Sequence, residues 1–143
     1  MSRQPDLTFY YSLLLPSTII NANEIGTDRQ QTSNGLIFAD IDLTIPIGSF
    51  AFNIVIYNSN NTDKILYDGT GTNVYFLPEG TLSNSVDLKF IRSPLNLFVL
   101  PPTKLNVYQI LSGSLDFLNS RGIITQETLS LGLKREVNVY FDK

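Results

Sequence analysis

The chain has 143 residues, 43% of them hydrophobic and 16% charged: the length of one domain, with apolar content enough for a core. Its net charge is −3, and its ten basic residues are scattered singly apart from Lys134-Arg135, which excludes a surface built to neutralise nucleic-acid phosphates. It contains no Cys, His or Trp, so disulfides, thiolate chemistry, zinc–sulfur sites and the commonest general base are excluded as well.

Leu7 to Leu15 opens the chain as a β-favouring apolar run stopped by Pro16, either a first strand or, as residues 1–20, an extended arm laid on a neighbour. Pro16, Ser12 and Ser17 interrupt the run from Leu7 to Ile20, which argues against a signal peptide, and no apolar run reaches the ~18 residues of a membrane helix. Asn21 to Gly35, poor in apolar residues, reads as a polar loop long enough to suggest contact with a partner. Leu36 to Tyr57 follows as the best-patterned stretch. Ile37, Ala39, Ile41, Leu43 and Ile45 alternate with Phe38, Asp40, Asp42 and Thr44. After a turn at Pro46-Ile47-Gly48-Ser49, Phe50, Phe52, Ile54 and Ile56 alternate with Ala51, Asn53, Val55 and Tyr57. A period of two marks two half-buried antiparallel strands.

Turn chemistry then recurs at Asn58 to Asp63, Asp68-Gly69-Thr70-Gly71-Thr72 and Pro78-Glu79-Gly80. Between and after these turns lie the strand candidates Lys64 to Tyr67, Asn73 to Leu77, Val86 to Phe90, Leu95 to Leu100 and Leu105 to Ile110. The segment from Ser112 to Leu133 fits a hairpin better than a helix, because Gly113 and Ser114 start a helix poorly. Val137, Val139 and Phe141 alternate in a last strand. Strands about every ten residues, with no helical period, predict one all-β domain over 1–143. It would be an antiparallel sandwich (jelly-roll or Ig-like) or a barrel of roughly eight to ten strands.

The constellations that could carry chemistry are few. Asp40 and Asp42 would share one face of a strand, as a pair of acids for acid–base work does, but no third catalytic group accompanies them. Asp68 to Asn73 lacks the further acids of a calcium loop and the Lys of a phosphate loop. Asn60-Asn61-Thr62 has the glycosylation pattern, in a chain where 13 Asn and 12 Thr make it a chance event. Gly113-Ser114-Leu115 does not complete a nucleophile elbow. Tyr10, Tyr11, Tyr57, Tyr67, Tyr75 and Tyr108 suit stacking on a sugar or partner, though strand packing is their default; Tyr57 and Tyr67 bracket one hairpin. The expectation is therefore a chain that is not an enzyme, with no catalytic, cofactor or metal residues.

The Asn-rich, Cys-free and His-free β pattern with long polar loops resembles, in class, the small all-β components of viral particles, tailed phages especially. That resemblance implies a structural or assembly protein of a virion: an auxiliary capsid, connector, tail or fibre-attachment component. Its partners would be copies of itself or neighbouring structural proteins, with no nucleic acid and no membrane. The alternative expectation is a ligand- or carbohydrate-binding β module that uses tyrosines on one face.

Overall fold

The structure, a computed structural model, describes residues 3–12, 17–21, 29–57, 66–92, 98–99, 105–129 and 134–142. They form strands β1 (Leu7–Ser12), β2 (Ser17–Asn21), β3 (Arg29–Phe38), β4 (Pro46–Tyr57), β5 (Leu66–Leu77), β6 (Gly80–Arg92), β7 (Phe98–Val99), β8 (Leu105–Gly113), β9 (Gly122–Thr128) and β10 (Lys134–Phe141). One turn of 3-10 helix, Leu115–Phe117, joins β8 to β9.

Eight strands close an antiparallel barrel in the order β1-β10-β9-β8-β6-β5-β4-β3, and Tyr10 of β1 pairs with Phe38 of β3 to shut it. β2 continues along β3, and β7 along β6. The alternatives of sandwich and barrel thus resolve to a barrel. Consecutive staves are neighbours, so short connections suffice. The register places one row per stave inside: Leu7, Phe9 and Tyr11 of β1 lie against Val139, Val137 and Arg135 of β10. Phe50, Tyr75 and Leu82 line up across β4, β5 and β6.

Phe9, Ile37, Phe50, Tyr75, Leu82, Ile124, Val137 and Val139 make the core, and Phe117 of the 3-10 turn seals one end. Each fully buried large apolar side chain contributes about 1.5–3 kcal/mol. The seal is pinned by Ser114: Thr81 N–H donates to its hydroxyl at 3.0 Å, and Asp116 N–H donates to the Glu79 carbonyl at 3.1 Å.

Several expectations need correction. Arg29 to Gly35, read as part of a polar loop, belongs instead to β3, which pairs with β4 along its length and with β2 from Arg29 to Ser33. Neutral polar side chains are no obstacle to a strand whose ladder is fully paired. Of the two readings of the N-terminal run, first strand or arm, Leu7–Ser12 takes the first, as a barrel stave. The first strand of the central hairpin ends at Phe38, so Asp40 and Asp42 lie in the turn 39–45. Pro46 to Ser49, read as the turn, begins β4, where Pro is accommodated at the first residue. Exposure of Ile41 and Ile45 follows. Asp68 to Thr72 is not a turn but the interior of β5. Between Ser112 and Thr128 the chain combines both readings, a single 3-10 turn followed by a strand. Of Leu95 to Leu100 only Phe98–Val99 is described, as a strand. Asn58 to Asp63, including Asn60-Asn61-Thr62, lies outside the described residues.

Candidate functional site

Above the apolar end, the inward rows turn polar. Asn73 and Tyr75 of β5, Asn84 of β6, Tyr108 of β8, Gln126 of β9, Tyr11 of β1 and Arg135 of β10 are all buried. They reach the interior because each sits in phase with an apolar neighbour two residues away on its strand.

Gln126 is the hub. Its Oε1 accepts from the Tyr11 hydroxyl at 3.1 Å and from Arg135 Nη1 at 3.3 Å, and its Nε2 donates to the Tyr75 hydroxyl. Asn73 Nδ2 also donates to the Tyr75 hydroxyl, at 3.3 Å. That oxygen therefore accepts twice, leaving its own proton to be given elsewhere. This network joins four staves of the barrel, β1, β5, β9 and β10.

Among the described residues, two buried atoms in this layer have no hydrogen-bond partner: Arg135 Nε and Asn84 Oδ1. Arg135 is only 3% exposed. Among the described residues no carboxylate is paired with it; its neighbours Glu136 and Glu127 stand opposite each other on the other face of the sheet. Buried charges are ordinarily paired, so this guanidinium is the unusual group of the interior.

Burial pushes the hydroxyls of Tyr11, Tyr75 and Tyr108 above the ordinary phenol range, and the Arg135 charge partly offsets this at Tyr11 and Tyr108. The three are neutral phenols at physiological pH. The layer thus presents one cation and several neutral hydrogen-bonding groups.

The ladder beside the layer is short. β6 and β8 pair from Leu82–Gly113 to Asn84–Ile110, and among the described residues share no pair beyond it. β6 runs on to Arg92, while the rest of β8 pairs with β9. Asn84 and Tyr108 flank this seam.

Asp40 and Asp42, considered as a catalytic pair, do not converge on a site. The Asp40 carboxylate accepts from Thr44 N–H at 3.0 Å, Ile45 N–H at 2.8 Å and the Thr44 hydroxyl, so it caps its own turn. The Thr44 hydroxyl above all, then the two backbone donors, holds its pKa below the usual carboxylate value. Asp42 is exposed. Tyr57 pairs with Asp68, not Tyr67. Tyr11, Tyr75 and Tyr108 lie inside the barrel and form no exposed aromatic row. Ser114 is engaged with Thr81.

Sequence reasoning passed over Arg135, Gln126, Asn84 and Asn73. Their signal was a polar residue in step with an apolar row, as Arg135 is with Val137, Val139 and Phe141.

Two outer features complete the surface. A polar cleft of about 750 Å³ lies where β8 and β9 splay, lined by Gln109, Ser112, Asn119, Arg121 and Asp142 among others. Leu105 and Val107 of β8 are 51% and 58% exposed, with Leu111 and Ile123 beyond them. Among the described residues no group of three His, Cys, Asp or Glu side chains comes together, and no helix is long and apolar enough to cross a membrane.

No protein-family model matches the sequence, and no curated protein matches it. Among solved structures the chain is similar to one named pyocyanin demethylase, with a TM-score of 0.58 at 10% identity, over 92% of this chain and 97% of that one. At that identity the likeness is one of fold. It overturns the expectation that the chain is not an enzyme, which leaned on absent residue types and on the lack of a complete catalytic constellation: a chain of this fold bears an enzyme's name.

Proposed function

We infer that the barrel is a receptacle for a small molecule, held against the polar layer of its upper half and admitted through the seam between β6 and β8. The observation that carries this reading is the buried Arg135, whose Nε has no partner among the described residues. A stave filled for stability alone would carry an apolar residue there, since an unpaired buried cation costs several kcal/mol, on the order of 3–5. Asn84 Oδ1, unpartnered beside the seam, adds an acceptor for a ligand N–H or O–H. Small β-barrels have interiors that hold one ligand or are filled by side chains. The similar chain named pyocyanin demethylase supports counting chemistry, as well as binding, within the reach of such a barrel.

A fragment screen by ligand-observed NMR tests the reading. Hits are expected to weaken in Asn84→Leu, which is close in volume but lacks the acceptor, and to persist in Leu105→Glu, on the outer face. A library without hits, or hits indifferent to Asn84→Leu and lost in Leu105→Glu, would count against it.

A second reading, an assembly component built from copies of this chain, is favoured by the outer row of Leu105, Val107 and Leu111. Contiguous exposed apolar side chains mark interaction surfaces. Light scattering is expected to report an oligomer that Leu105→Glu with Val107→Glu dissociates; a monomer in both would contradict it.

A further inference from the structure

Among the described residues the positive charge of the polar layer has no counter-charge, and this specifies the receptacle reading, on which the following rests. We propose that the ligand carries a single carboxylate on an apolar body, with the carboxylate seated on the free edge of Arg135 and the body among Tyr11, Tyr75 and Tyr108.

Arg135 Nη1 is already committed to Gln126 Oε1, at 3.3 Å, whereas Nε is unpartnered. The edge of a guanidinium that includes Nε matches the two oxygens of a carboxylate, each taking one N–H. Gln126 and the strand pairing of β10 with β1 and β9 fix the group, so little freedom is lost on binding.

Charge selects the class. One cation stands in the layer, flanked by neutral phenols, and one carboxylate balances it. A phosphate dianion would leave a negative charge buried among hydroxyls. The acids nearest Arg135 along its strand cannot substitute for a ligand: Glu136 faces the other way and accepts from Asn138 Nδ2 at 2.8 Å. The Tyr75 hydroxyl, accepting from both Gln126 and Asn73, has its own proton to donate to a ligand acceptor. Tyr11 packs on Phe50 with ring centroids 4.4 Å apart, and Ile54 and Val86 are buried on staves of the same upper half. These suit an apolar body in place of a sugar.

The test is a protein-observed NMR titration with benzoate and its neutral analogue benzamide, on the wild type, Arg135→Met and Arg135→Lys. Benzoate is expected to bind at least about tenfold tighter than benzamide and to shift Tyr11, Tyr108 and Gln126. Arg135→Met, which conserves volume and removes the buried charge, is expected to abolish that preference and leave benzamide unchanged. Should Arg135→Met not fold, Arg135→Lys keeps the charge without the planar fork, and a clear loss for benzoate alone is expected. Benzamide matching benzoate inside the barrel would overturn the carboxylate and leave the receptacle standing. Benzoate binding unmoved by either Arg135 variant, or a failure of benzoate to shift the interior, would also overturn it, while the fragment screen judges the receptacle separately.

Discussion

Gln126 joins Tyr11, Tyr75 and Arg135 through a single amide, so the interior responds to the loss of any one partner. Tyr75→Phe keeps the ring but strands Gln126 Nε2 and Asn73 Nδ2, both buried donors. The expected loss is about 1–3 kcal/mol, the cost of leaving such groups unsatisfied, measurable as a lower midpoint in urea. Asp40 makes the opposite case, an exposed carboxylate whose bonds are local. Its folded pKa is depressed, so its contribution is present above the unfolded value of 3.8 and is lost as pH falls through the lower folded value. Asp40→Asn is therefore expected to melt below the wild type at neutral pH, and the two melting curves to converge below pH 3.8. A gap that persists in acid would contradict the assignment. Neither role is visible in a bare sequence. Asp40 and Asp42 look like a pair because their spacing fits a strand, and only the turn at 39–45 separates their directions. Arg135 hides beside Lys134, where a dibasic pair reads as solvated surface, although its phase with Val137 and Val139 places it inward.

At the scale of elements, alternation was a faithful guide where one face is apolar. Phe50, Ile54, Val137 and Val139 are buried as their spacing predicts, and Val55, on the opposite face of β4, is exposed. It failed where the strand is polar or rich in glycine. β3 begins Arg29-Gln30-Gln31-Thr32 and is held by pairing on two sides, which composition does not reveal. In β5, Gly69 and Gly71 imitate a turn. Gly71 is required for another reason: a Cβ there would run into the Asn53 carbonyl and come within 2.7 Å of the Ile54 Cα. Gly71→Ala is expected to cost about 2 kcal/mol or more, since backbone of the neighbouring stave has to shift. A denaturation midpoint unchanged from the wild type would show that β4 and β5 approach less closely.

The whole molecule combines a sealed apolar end, under Phe117, with a polar upper layer beside the short β6–β8 ladder. The all-β class was legible from recurrent turns and a period of two. Closure into a barrel was not, because it depends on β1 meeting both β10 and β3, contacts between the chain's distant parts. With Tyr11, Tyr75 and Tyr108 raised by burial, folding retains protons that the unfolded chain releases above the ordinary tyrosine value of 10.0. Stability is thus complete below that pH and falls as pH rises beyond it, and alkaline unfolding is expected to coincide with tyrosine ionisation in the ultraviolet. Tyrosines ionising well before the fold is lost would mean that they are not enclosed. The most direct test of the receptacle follows the Arg135 Nε–H and the Gln126 side-chain amide by NMR as the best fragment is added. Saturable shifts at both, with Leu105 and Val107 unmoved, are the predicted result. Shifts confined to the outer face, with the Arg135 and Gln126 signals unchanged at saturation, would contradict it.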